Sequence, residues 1–185
     1  MNEESATPTT VLTTDADLAK RTRFIRSLPT LRETVIGAIG WSLMMTLSAW
    51  FSLWLRENDV TFHLRSVLLL YALGGVLAWP LSLFAARFAA QDRAVETRFA
   101  AFVLCLAAGT IGTTAFLFAL DYRVFYSQWH ATTGTLTWFF QALFTSLAAI
   151  YQFLVLGVRH YLPLGAVAVG IVSLWLAQRD MRQGR

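Results

Sequence analysis

The sequence predicts an all-α fold, a polytopic integral membrane helical bundle of about five transmembrane helices with short loops, on three observations. Five stretches, 34–55, 66–86, 99–120, 131–158 and 161–178, contain no charged residue, so all 15 Lys and Arg and all 11 Asp and Glu fall outside them. A hydrocarbon core about 30 Å thick requires about 20 helical residues to cross it. Four of the stretches reach that length, and the fifth, with 18 residues, just suffices. Composition agrees: 185 residues that are 56% hydrophobic leave too little polar sequence for a separate soluble domain.

The elements follow in order. Residues 1–14 carry Glu3 and Glu4 where a signal peptide carries basic residues, and they hold no apolar run. A disordered tail is expected there, with the first span acting as its own uncleaved insertion signal. Residues 15–33 read as a basic amphipathic interfacial helix. Leu18, Ile25 and Leu28 share a face with Phe24 and Leu31 beside it, Lys20, Arg23 and Arg26 lie opposite, Thr14 or Asp15 offers a cap, and Pro29 breaks the run. An unstructured polybasic flank is the alternative.

A single transmembrane domain, 34–178, then holds spans at about 34–55, 66–86, 99–120, 136–158 and 161–178. The first places Gly37, Trp41, Met44 and Ser48 along one side. The second contains Gly74, Gly75 and then Pro80, which predicts a kink. In the third, Cys105, Gly109 and Gly112 share one face and Thr110 and Thr114 another, patterns suited to close helix packing. Between the third and fourth spans, Tyr122, Phe125, Tyr126 and Trp129 recur at i, i+3, i+4, i+7, so residues 122–130 are expected to form a separate aromatic helix at the outer interface. Arg159, His160 and Pro163 make a tight break before the fifth span, and 179–185 is a basic tail.

Orientation follows from the Lys and Arg count. With a cytoplasmic N-terminus and five crossings, the inner side receives nine basic residues, Arg159 among them, and the outer side six. The C-terminus is then expected outside. The count would become twelve against three if the tail stayed inside, which would require the last apolar stretch to re-enter or lie buried without crossing.

Two groups of residues are candidate sites. In the fourth span Gln141, Thr145, Ala148, Gln152 and Arg159 fall within a sector about 60° wide at 100° per residue, a polar-and-small stripe that should face protein or water, because hydrocarbon cannot satisfy an amide. The residues Gln141, Thr145, Gln152 and Arg159 therefore serve either interhelical packing or a solute path. At the outer interface Asp121, Tyr122, Tyr126, Trp129 and His130 form the densest polar and aromatic cluster. Of the three histidines only His63 and His130, assigned to one side, could share a haem, but both lie in loops without a supporting motif, so none is assigned. With one cysteine, no phosphate-cradling loop, no metal-spaced cluster and no nucleophile motif, neither a catalytic residue, a metal nor a cofactor is assigned. The spans contain no Asp, Glu, Lys, Arg or His, which argues against a proton relay.

The expected function is that of a small non-catalytic accessory, assembly or interaction subunit of a membrane complex, in a bacterial-type inner membrane with its N-terminus cytoplasmic. Its partners would be the lipid bilayer and a membrane protein or further copies of itself, with no nucleic acid. A small channel or carrier for a neutral solute is second, and an integral-membrane enzyme with an interfacial site third.

Overall fold

The computed structural model describes residues 18, 21–56 and 63–182. The expected disordered tail, its Thr14 or Asp15 cap and the last residues of the basic tail lie outside these. Residues 21–27 are helical and the helix ends before Pro29, as the proline requires. Arg23 ties this segment to the end of the second long helix, donating to the Gln91 amide oxygen at 3.3 Å and lying over the Phe88 ring. Leu18, Ile25 and Leu28 are left about half exposed.

Five helices are long and apolar enough to cross a membrane. The first, α1 (Leu31–Leu55), starts at a reciprocal cap: Thr30 Oγ1 accepts from the Glu33 N–H and the Glu33 carboxylate accepts from the Thr30 N–H. Next, α2 (Leu64–Ala90) runs through Pro80. The third, α3 (Val95–Tyr126), is 32 residues long and continues without a break through the segment expected to be a separate interfacial helix. No Gly or Pro lies between Leu120 and Tyr126, so nothing stops the helix until the 3₁₀ turn Ser127–Trp129. The fourth, α4 (Leu136–Gln152), is capped by the Thr135 hydroxyl and passes into a π-helical turn, Phe153–Gly157, and a 3₁₀ turn, Val158–Tyr161. The fifth, α5 (Leu164–Arg182), follows the Pro163 break.

Small residues bring the first three helices close. A Cβ on Gly75 would lie 2.9 Å from the Ser42 Cα, and one on Gly74 would lie 2.0 Å from the Thr114 hydroxyl. Polar bonds cross the same seams: Ser42 Oγ donates to Ala72 O at 2.9 Å, Thr113 Oγ1 to Gly74 O at 3.1 Å, and Trp41 Nε1 to Thr110 Oγ1 at 3.0 Å. Around them Met45, Tyr71, Leu83, Phe102, Leu106 and Leu176 form the buried core.

These contacts also fix the path of the chain. The Glu33 side chain meets Arg87 and Arg179, while Ser48, four turns further along α1, accepts from the Gly165 N–H at 3.0 Å. Hence α5 runs antiparallel to α1 and finishes beside its start. The helical part of the chain begins and ends at the same end of the bundle, which corrects the expectation that the C-terminus lies opposite the N-terminus.

The reason is α4, not the last stretch. It starts beside the end of α3, where the Arg123 guanidinium lies 5.5 Å from the Trp138 ring centre. It finishes in the same half of the bundle: Tyr71 donates to Gly157 O at 2.7 Å, Ser48 to His160 O at 3.1 Å, and Ser52 Oγ lies 3.2 Å from His160 Nδ1. Arg159 and His160 thus sit in the half that holds Leu55, not at the Glu33 end. Among the described residues nine arginines then flank the Glu33 end (Arg21, Arg23, Arg26, Arg32, Arg87, Arg93, Arg98, Arg179 and Arg182) against four (Arg56, Arg65, Arg123 and Arg159) at the other.

Candidate functional site

The charges that flank three of the apolar stretches converge at the Glu33 end. Arg87, in the last turn of α2, donates from Nε to Asp180 Oδ2 at 2.7 Å and from Nη2 to Asp180 Oδ1 at 3.0 Å, a two-pronged pair that matches the planar guanidinium to the carboxylate. Its Nη1 reaches Glu33 Oε2 at 3.1 Å, and Arg179 of α5 bonds the other Glu33 oxygen. The side chains of Arg87 and Asp180 are only 4% and 3% exposed. Removing such charges from water is tolerated only when each is paired and hydrogen-bonded. Here two cations answer two anions, and the cluster staples α1, α2 and α5 together.

Immediately beside the cluster the same three helices leave a groove of about 750 Å³. Trp79 and Leu83 of α2 form its back, with Trp41 beside them; Gly40 and Met44 of α1 and Trp175 of α5 line it where it meets the surface. Gly37 lets Trp79 sit deep, since a Cβ there would fall 2.1 Å from the indole, and Trp79 Nε1 donates to Glu33 O at 3.1 Å. At Gly40, by contrast, a Cβ would meet nothing within 4 Å. Met44 and Trp175 are exposed on the faces that a bilayer would cover. The groove therefore opens sideways rather than along the bundle axis. Its mouth is polar, lined by Thr30, Arg32, Glu33 and Arg179.

The residues singled out from sequence lie elsewhere, in the half that holds Leu55. Gln141 Oε1 accepts from the Ala131 N–H at 2.8 Å and Thr145 Oγ1 lies 3.3 Å from His130 Nε2, so both lash the preceding loop to α4. Gln152, exposed, borders a smaller cavity of about 160 Å³ with Tyr71, Phe118 and His160, and Arg159 is exposed too. Gln141, Thr145 and Gln152 keep the α-helical spacing of α4, but Arg159 leaves their line, because the π-helical turn after Gln152 abandons the 100° step on which the projection relied. Asp121 is exposed, and Tyr122, Tyr126 and Trp129 stack along the end of α3, with ring centres 4.5 Å apart for the two tyrosines and 5.6 Å for Tyr126 and Trp129. His130 turns toward α4 and away from that stack.

The sequence reading missed Glu33, Arg87, Arg179 and Asp180. Their signal was present, since Glu33 and Arg87 each abut the end of an apolar stretch and Arg179 and Asp180 follow another. What was missing was the chain path that brings positions 33, 87 and 180 to one end. No protein-family model, curated protein or solved structure matches the chain, so its function is read from this geometry.

Proposed function

We propose that this chain is a non-catalytic integral-membrane accessory protein that works by binding, with the lateral groove between α1 and α5 as its binding surface. The observation that carries the reading is the groove itself: its 750 Å³ falls within the roughly 300–1,000 Å³ of ligand pockets, its wall is aromatic and aliphatic, and its mouth is polar. The neighbouring charges are answered by one another, which suits them to holding helices in place rather than to moving protons. The excess of arginine at the Glu33 end, nine against four, favours a cytoplasmic position for that end in a bacterial-type inner membrane, with both chain ends inside.

The test is photo-crosslinking in intact membranes from a benzophenone amino acid at Met44, in the groove, and at Leu104, on the exposed face of α3. An adduct of defined mass at Met44, beside only the bulk-lipid mixture at Leu104, is the expected result. The bulk mixture at both positions would refute a binding groove.

A further inference from the structure

The groove has a definite depth. Its upper limit is set where Ser48 of α1 bonds Gly165 of α5, and its lower limit where Glu33 bonds Arg179. From Glu33 to Met44 the helix rises about 17 Å. Half of a hydrocarbon core is about 15 Å. A transmembrane helix of a partner would need a seam running the full height of the bundle, whereas this opening spans one leaflet.

The chemistry changes with depth in the same sense as a lipid's. Away from the mouth the groove presents Trp41 and Met44, with Trp79 and Leu83 along the back wall. Just beyond the mouth lies an adjoining cavity of about 230 Å³ lined by Trp175, Gln178, Arg179 and Arg182, with the Arg179 guanidinium 5.2 Å from the Trp175 ring centre. Trp175 and Arg179 line both spaces. Three arginines, Arg32, Arg179 and Arg182, line the two spaces against one carboxylate, Glu33, an excess of two positive charges. Arg32 and Arg182 are exposed, and neither pairs with another described residue.

Resting on the reading of the groove as the binding surface, we propose that it holds one anionic phospholipid of the leaflet at the Glu33 end. Its headgroup phosphate lies among Arg32, Arg179 and Arg182, and one acyl chain lies against Trp79 and Trp41. Anionic lipids concentrate in the cytoplasmic leaflet, where basic residues beside a span attract them.

With the four tryptophans outside the groove, Trp50, Trp54, Trp129 and Trp138, replaced by phenylalanine, the three groove tryptophans report occupancy. The purified protein is reconstituted in phosphatidylcholine vesicles containing a minor fraction of either phosphatidylglycerol or phosphatidylcholine brominated on its acyl chains, and tryptophan quenching is measured. Brominated phosphatidylglycerol should reach the groove with roughly tenfold preference over brominated phosphatidylcholine. R32Q/R182Q should bring the preference to near parity, whereas R56Q/R65Q at the other end should leave it unchanged. G40F should remove quenching from the groove by both lipids, since its ring would occupy the open space beside Gly40. Equal quenching by the two lipids in the wild-type protein would overturn the headgroup assignment while leaving the groove as a binding surface. A protein adduct at Met44, with quenching indifferent to G40F, would overturn the lipid but not the binding reading. Quenching indifferent to every variant, with only bulk lipid captured at Met44, would overturn both.

Discussion

Replacing Arg87 with methionine tests whether the ion cluster holds the bundle together. The substitution keeps a long, flexible apolar stem and deletes four hydrogen bonds. Two of these, at 2.7 and 3.0 Å, are the bonds recorded to the Asp180 carboxylate, a residue 2% exposed. The other two, at 3.1 and 3.4 Å, go to Glu33, which keeps the Thr30 N–H and Arg179. The damage therefore concentrates on Asp180, a buried charge deprived of its partner. Breaking a buried pair from one side costs about 3–5 kcal/mol, while replacing both members by apolar groups is often close to neutral. R87M should fall in that range and R87M/D180L should recover most of the loss, leaving a deficit of about 1 kcal/mol or less. R179M, whose side chain is 29% exposed, should cost only about 0–1 kcal/mol. Reversible unfolding in mixed detergent micelles measures all three. If R87M lies within about 1 kcal/mol of wild type, or if the double variant is as unstable as R87M, the clamp reading fails.

Three further outcomes are expected. In a Cys105→Ser background, single cysteines at Arg21 and Arg182 should both resist an impermeant thiol reagent in intact cells and both react after lysis; opposite behaviour of the two would contradict the shared end. Gly75→Val places side-chain atoms against the α1 backbone at Ser42, where even a Cβ would sit 2.9 Å away, and should lower stability by about 1–3 kcal/mol, whereas Gly112→Val, with open space around it, should not. Gln141→Leu removes the bond to the Ala131 N–H and should cost roughly 0.6–2 kcal/mol, while Gln152→Leu should be neutral; a comparable loss at Gln152 would contradict its exposed position.

Much of the fold was legible because apolar length and charge exclusion are properties of contiguous sequence. The five long helices, the break at Pro29 and the break before Pro163 all depend on local chemistry, and all appear where local chemistry puts them. The faces of α1 and α3 were legible in part: Trp41, Ser48, Thr110 and Thr114 are buried at the helix seams, while Met44 and Gly112, expected on packing faces, are exposed. What was not legible depended on geometry that no spacing rule carries. The 100° projection places Arg159 in line with Gln141 only while the helix remains α, and Phe153–Gly157 is π. Likewise, counting α4 as an end-to-end passage put Arg159 and His160 at the wrong end and sent the C-terminus outward. That single miscount also hid the cluster, because Asp180 and Arg179 were assigned to the end opposite Glu33 and Arg87.

The shared end of α1, α2 and α5 makes the buried charge cluster tolerable. Arg87 and Asp180 lie in the last turns of their helices and Glu33 in the first turn of its own, so their charges sit near headgroup depth, where burial is far less costly than at the bilayer centre. Above them, α1 and α5 are joined again only at Ser48 and Gly165 among the described residues, with no hydrogen bond between the two helices in the intervening turns. Two bonded points with an unbonded stretch between them leave a lateral opening between the helices. It follows that the two kinds of lesion should separate. Weakening the lower clamp with R87M should reduce stability and groove occupancy together, whereas filling the window with G40F should abolish occupancy and leave the unfolding transition in place.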